Sequence, residues 1–351
     1  MHGGNIYNRA NLIKLDYSVN TNPLGMPESL KHALDQVDTW AGRYPEPEVT
    51  KLRERLAQKH HCKPDHVLCG NGASELLVLY MQALRPGKVL LPIPCFTGYL
   101  HALQAVDATI QYYLLKEQED YLLEEGFLRA LEDTRNLDLV ILCRPNNPTG
   151  RLIPKTLLEA ILKVTRERGI ALLVDECFLD FTSEWNQSLC HQIQEYENLA
   201  VLQAFTKNYC LPGVRLGMLY TAGEQLMEKM KALQPEWSVS TIAQELGCLV
   251  VEEDAFLRES RQLIEAEREY LVKQLKELGF QTFPSDANFL MLYGPEKLDE
   301  KLEQEGILIR NLKDIPGLEK QNLYRIAVKQ HPDNQVLIEA LKKIQKSVIN
   351  R

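Results

Sequence analysis

From about residue 66 to 220, short apolar runs alternate with segments of helical period. Strand candidates fall at 66–70, 88–92, 109–113, 137–143, 171–175, 199–204 and 215–221, with helical patterns such as 74–84, 154–168 and 187–196 between them. Such alternation of strands and helices predicts an α/β fold, a mostly parallel sheet covered on both faces. An open sheet of that kind binds ligands beyond the carboxyl ends of its strands. The loops that follow the strands are therefore where chemistry is to be sought.

A second unit follows. Residues 238–278 read as a long helical stretch, broken near Glu252-Glu253-Asp254. After it come an apolar run at 288–293, a helix near 296–305, strands at 306–310 and 323–328, and a closing helix at 332–347. That pattern is α+β. Residues 1–35 look irregular and are expected to pack against it. The expected division is a large domain over 36–235 and a small domain made of 1–35 with 236–351, a size that suits 351 residues.

The net charge is −8 and no basic patch stands out, so the chain does not fit a nucleic-acid partner. An anionic substrate would need arginines placed locally. The 8 cysteines are scattered with no C-x-x-C pair, which suggests neither a zinc site nor a disulfide framework. Several lie in apolar runs, where cysteine acts as a small hydrophobe. The start, Met1-His2-Gly3-Gly4-Asn5, lacks a signal-peptide pattern, and no apolar run approaches membrane-spanning length. The expected location is the cytoplasm, with no membrane partner and no metal.

The strand ends carry the chemistry. Thr206-Lys207 sits on a turn after the apolar run 199–205, and Pro212-Gly213-Val214-Arg215-Leu216-Gly217 opens the next strand. Val174-Asp175-Glu176 ends another apolar run. A lysine amine for a carbonyl, a carboxylate for a pyridinium N–H and a fork of donors for a phosphate are what pyridoxal phosphate demands. Each residue also has an ordinary reading. Lysines are mostly solvated, and a lone aspartate after a strand can cap a helix. Asn147, in Asn146-Asn147-Pro148-Thr149-Gly150, is either a turn residue or a donor to the cofactor's phenolic oxygen. Gly72, Ala73 and Ser74 open a helix whose free N–H groups suit a phosphate. Phe96 could stack on a pyridine ring or belong to the core.

Taken together, Gly70-Asn71-Gly72-Ala73-Ser74-Glu75, Asn146 to Gly150, Asp175-Glu176-Cys177-Phe178 and Thr206 to Gly217 resemble the fold-type I aminotransferase superfamily. The likeness is strongest to its histidinol-phosphate aminotransferase branch and covers nearly the whole chain. It implies the PLP-dependent transferase fold, with a mostly parallel seven-stranded sheet in the large domain and a smaller α+β domain. It implies that Lys207 binds the cofactor covalently, that Asp175 pairs with the ring nitrogen and that Asn147 touches the ring oxygen. Ser74, Thr206 and Arg215 would surround the phosphate. Tyr44, in Arg43-Tyr44-Pro45, would reach the cofactor of a partner subunit in a homodimer.

Further motifs are similar to the threonine-phosphate decarboxylases of cobalamin biosynthesis. They are His2 to Asn5, Asn20 to Gly25, Trp237-Ser238-Val239, Ile307 to Arg310, Ile315 to Leu318 and Tyr324-Arg325. Phe178 stands where typical aminotransferases carry tyrosine. This resemblance implies that His2, Asn22, Asn147, Arg310 and Arg325 bind a substrate's phosphate and carboxylate. Alone, an N-terminal His-Gly-Gly would be a frayed end, and either arginine could be a structural ion-pair member. Ala204 departs from the serine or threonine usual in the family, which implies a lost phosphate hydrogen bond. The implied reaction is decarboxylation of O-phospho-L-threonine to aminopropanol O-phosphate. The alternatives are a histidinol-phosphate-type aminotransferase, or a decarboxylase of O-phosphoserine.

Overall fold

The computed structural model describes residues 3–7 and 12–349. Its centre is a 7-stranded sheet built from β2 (Val67–Gly70), β3 (Lys88–Ile93), β4 (Thr109–Leu114), β5 (Leu139–Cys143), β6 (Ala171–Asp175), β7 (Leu199–Ala204) and β8 (Gly217–Thr221), where β1 is the short Leu15–Asp16. The spatial order is β2-β8-β7-β6-β5-β3-β4. Every pairing from β7 to β4 is parallel, and β8 runs against both of its neighbours.

Side-chain alternation explains why the central strands are almost wholly apolar, whereas the edge strand β4 is partly exposed and carries Thr109 and Gln111. In β5, Val140 and Leu142 enter one core cluster while Leu139, Ile141 and Cys143 enter the other. In β7, Leu199 and Val201 likewise oppose Ala200, Leu202 and Ala204. Both faces of these strands are covered, so few polar side chains enter them. One face takes the helices Ala73–Leu84, Thr97–Gln104 and Glu224–Leu233, and the other takes Thr50–Lys59, Gly126–Asp133 and Lys155–Glu167.

A third core lies between β9 (Phe289–Tyr293), β12 (Leu323–Ala327), the C-terminal half of the helix Asp254–Glu277 and the helix His331–Ile349. With β11 (Arg310–Asn311), β9 and β12 form an antiparallel sheet of order β11-β12-β9, while β10 (Ile307–Leu308) pairs in parallel with β1.

The structure alters three readings of the sequence. The expected strand at 306–310 is split, because the chain leaves one small sheet and joins the other at the buried Ile309. The expected helix at 187–196 contains only the short 3-10 turn Leu189–Gln192. Its start is captured by other partners: Glu176 accepts from Ser188 Oγ and the Leu189 amide, and Arg144 binds the Gln187 carbonyl. Residues 12–35 are less irregular than expected. They contain β1 and the helix Glu28–Ala33, which packs on the helix Thr241–Val250 and sends Leu30 into the large sheet's core.

Candidate functional site

Sheet register brings the motifs to one edge. Cys143 pairs with Asp175, Asp175 with Leu202, Ala204 with Gly217 and Gly217 with Gly70. The parallel strands end there. The reversed strand β8 begins there, which explains why Arg215 acts at the same edge although it precedes its strand.

Two glycines build the anion end of the site. Gly72 has φ +80, and a Cβ on it would stand 2.9 Å from Arg215 Cζ. Side-chain-free backbone at that point lets the guanidinium lie against the first turn of the helix Ala73–Leu84. Gly217 permits the same approach from the other side, since its Cβ would meet the 72–73 backbone at 2.5 Å. The result is a helix N-terminus beside an arginine, the arrangement that favours a phosphate. Glu75 anchors the turn: it accepts from the Asn71 amide at 2.8 Å and from Ser238 Oγ at 2.5 Å and 2.7 Å. Arg215 itself adopts φ +62 and donates to the Pro212 carbonyl.

Lys207 lies on the one-turn helix Phe205–Asn208 that continues β7. Burial first, then the charges of Arg325 and Arg215, push its ammonium down to about 8. An amine held there is a far better nucleophile at neutral pH than a solvated lysine. Asp175 is buried at the end of β6, where its carboxylate accepts from the Tyr99 hydroxyl at 2.6 Å and the Cys177 amide at 2.9 Å. Asn147 presents its amide oxygen to Arg325 Nη1 at 2.5 Å. That bond fixes the amide's orientation and leaves its N–H groups for a ligand.

The third group of charges comes from the small sheet. Arg310 and Arg325 are direct cross-strand partners. Like charges so placed repel, and Arg310 depresses the guanidinium pKa of Arg325, after burial the largest cause. Arg325 donates to the Ser18 carbonyl at 2.7 Å, and the Asn20 amide, oriented to accept, lies 3.2 Å from its Nε. Arg310 Nη2 meets both carboxylate oxygens of Asp314, at 2.9 Å and 3.1 Å.

One pocket is lined by Ala73, Ser74, Phe96, Asn147, Asp175, Phe178, Thr206, Lys207, Arg215, Arg310 and Arg325. Most residues singled out from sequence are thus brought together, with Gly72 directly behind Arg215. Ala204 also lines it. Two lie elsewhere. Asn22 braces the lysine turn from outside the pocket: its backbone N–H donates to the Lys207 carbonyl and its side chain to the Asn208 carbonyl and Ser260 Oγ. Asn20 takes the place at the pocket wall that the sequence reading gave to Asn22. Tyr44 is 81% exposed and packs on Trp237 at 5.1 Å, away from the pocket of its own chain. His2 falls outside the described residues, although Gly3 lines the pocket.

Sequence reasoning missed Tyr99, Asn20 and Ser18. Tyr99 follows Phe96 by one helical turn, a spacing that could have pointed to it. Ser18 acts through its backbone carbonyl and left no signal. Among the described residues no group of His, Cys, Asp or Glu is arranged to hold a metal ion, and no helix is long and apolar enough to cross a membrane.

Comparison with known proteins bears on the family and the fold. The family model described as aminotransferase class I and II matches residues 12–344. The chain is 33% identical over 354 residues to the threonine-phosphate decarboxylase of Salmonella typhimurium, covering 98% of this chain and 96% of that one. It is 31% identical over 339 residues to a histidinol-phosphate aminotransferase of Caldanaerobacter subterraneus, covering 94% and 93%. The crystal structure of the histidinol-phosphate aminotransferase from Clostridium acetobutylicum matches with a TM-score of 0.87 at 29% identity, covering 95% of this chain and 99% of that one. A match running through nearly the whole chain, on a fold shared to that degree, makes this protein a member of the aminotransferase class I and II family and a pyridoxal-phosphate-dependent enzyme.

Proposed function

We propose that the enzyme removes the α-carboxylate of O-phospho-L-threonine, giving aminopropanol O-phosphate and CO2. The observation that carries this reading is the Arg310–Arg325 cross-strand pair opening on the pocket of Lys207. Two guanidinium groups held side by side call for a bridging dianion, and a phosphorylated amino acid supplies one. The match to a threonine-phosphate decarboxylase over 98% of the chain supports the same substrate class.

Bound pyridoxal phosphate supplies an aldehyde for the substrate amine and a ring that draws electrons from the bond broken at Cα. The 72–74 turn, Thr206 and Arg215 would hold its phosphate, Asp175 its ring nitrogen and Asn147 its ring oxygen, with Phe96 beside it. Lys207 is the amine that would hold its aldehyde. Arg310 and Arg325 would grip the substrate phosphate and so orient the substrate carboxylate for loss as CO2, and Lys207 Nζ would deliver the proton that replaces it. Tyr44 would serve a partner subunit's pocket in a homodimer, which suits its exposure.

The test is product analysis with phosphothreonine, with and without 2-oxoglutarate. CO2 release independent of the keto acid is expected. If phosphothreonine gives no CO2 while histidinol phosphate plus 2-oxoglutarate yields glutamate, the enzyme is a transaminase instead. Phosphoserine as a third substrate measures what the methyl group contributes, about ten-fold or more where an apolar wall receives it.

A further inference from the structure

Asp175 is held by two elements of the fold before any ligand arrives. The turn after β6 supplies the Cys177 amide to Oδ1, and the helix Thr97–Gln104 supplies the Tyr99 hydroxyl to Oδ2. Each carboxylate oxygen accepts about two hydrogen bonds, so both keep capacity for one more. Tyr99 is fully buried and does not line the pocket; it stands one layer behind the aspartate. Toward Asp175 its phenol is the donor, because burial and then the Asp175 charge push its titration well above the ordinary tyrosine value and keep it protonated.

The local sequence Phe96-Thr97-Gly98-Tyr99 sets this arrangement. A Cβ on Gly98 would press on the Phe96 ring, 2.8 Å from its Cζ, so glycine lets that ring fold back over the first helical turn. There it meets Tyr99 edge-on, with centroids 5.5 Å apart and planes at 86°. Phe96 forms pocket wall, and the same turn aims Tyr99 at Asp175.

We propose that Tyr99 is a positioning residue: its hydroxyl fixes the rotation of the Asp175 carboxylate and so the direction in which that carboxylate meets a cofactor ring nitrogen. The inference rests on the role given to Asp175 above. A free carboxylate could rotate, or share its charge with water. One locked between two donors offers its remaining lone pairs in fixed directions, which is how preorganised sites avoid reorganisation during reaction.

Tyr99→Phe keeps the ring and removes only the donor. Apoprotein should then bind pyridoxal phosphate about ten-fold more weakly in a fluorescence titration, the loss of one charge-assisted bond. Turnover should fall about ten-fold with KM for the amino-acid substrate unchanged within two-fold. A contact that only stabilises the fold would lower the melting temperature and leave cofactor affinity and kcat unchanged; that result overturns the proposal. Asp175→Asn in parallel separates the two levels. A crippled Asp175→Asn beside a normal Tyr99→Phe refutes the role of Tyr99 alone, whereas a normal Asp175→Asn refutes both.

Discussion

A methyl group on Gly217 would stand 2.5 Å from the carbonyl carbon of Gly72. The first residue of β8 and the turn that opens the phosphate-facing helix are therefore in contact through backbone alone. Gly217→Ala has no flexible side chain to push aside, so the turn itself must shift. Overpacking of this kind costs about 1–3 kcal/mol. The expected outcome is a lower melting temperature together with weaker cofactor binding in the same titration. A variant with lowered stability and normal cofactor affinity would show that the turn is not part of the phosphate site.

Lys207 should reveal its lowered value during cofactor capture. Only the free amine attacks, and with the group near 8 rather than 10.5 the free fraction rises about ten-fold per pH unit up to about 8, then levels. Stopped-flow mixing of apoprotein with pyridoxal phosphate should trace that curve. A rate still climbing at pH 10 would mean the amine is solvated. Lys207→Ala should fold and yet carry no cofactor after borohydride reduction; label found on another lysine would move the site.

Asp175→Asn should retain the cofactor but lose turnover by at least ~10²-fold, because an amide cannot stabilise a protonated ring nitrogen. Steady-state kinetics on cofactor-saturated protein decides this. A near-normal rate would reduce Asp175 to a cap for the turn at Cys177.

Much of this site could be read before the fold was known, for a physical reason. Lys207, Asp175 and Asn147 each follow an apolar strand, and in a parallel sheet all such positions share one edge. Arg215 required the reversal of β8, which a periodic pattern cannot reveal. Asn20 and Asn22 stand in one motif, and only the fold shows that Asn20 lines the pocket while Asn22 braces the lysine turn. The turn at Leu189–Gln192 looked helical because its apolar spacing is helical; only the distant Glu176 and Arg144 override it.

That override is itself testable. Arg144 and Glu176 form an ion pair at 3.2 Å with both side chains almost wholly buried, on the sheet face opposite Asp175. Glu176→Ala leaves the guanidinium short of a partner and releases Ser188 and the Leu189 amide. Removing one member of a buried pair costs about 3–5 kcal/mol. Urea denaturation of the apoprotein should show a loss of that order, and a loss below about 1 kcal/mol would mean that Glu184 alone satisfies Arg144.

The cross-strand arginines predict opposing effects on stability and function. Arg310 and Arg325 repel across β11 and β12, and Asp314, paired with Arg310, offsets only part of that charge. Arg310→Met should therefore make the unliganded protein no less stable, and up to about 1 kcal/mol more stable, because a like-charge pair is removed. The same substitution should raise KM for a phosphorylated substrate by about 10²-fold through loss of a charge-assisted contact. Inorganic phosphate supplies the ligand half of the argument. It should raise the melting temperature of the wild-type apoprotein more than that of Arg310→Met, since the Arg215 site remains in both. An equal rise in the two proteins, with KM unchanged, would assign the pair to structure and leave the substrate phosphate without its anchor.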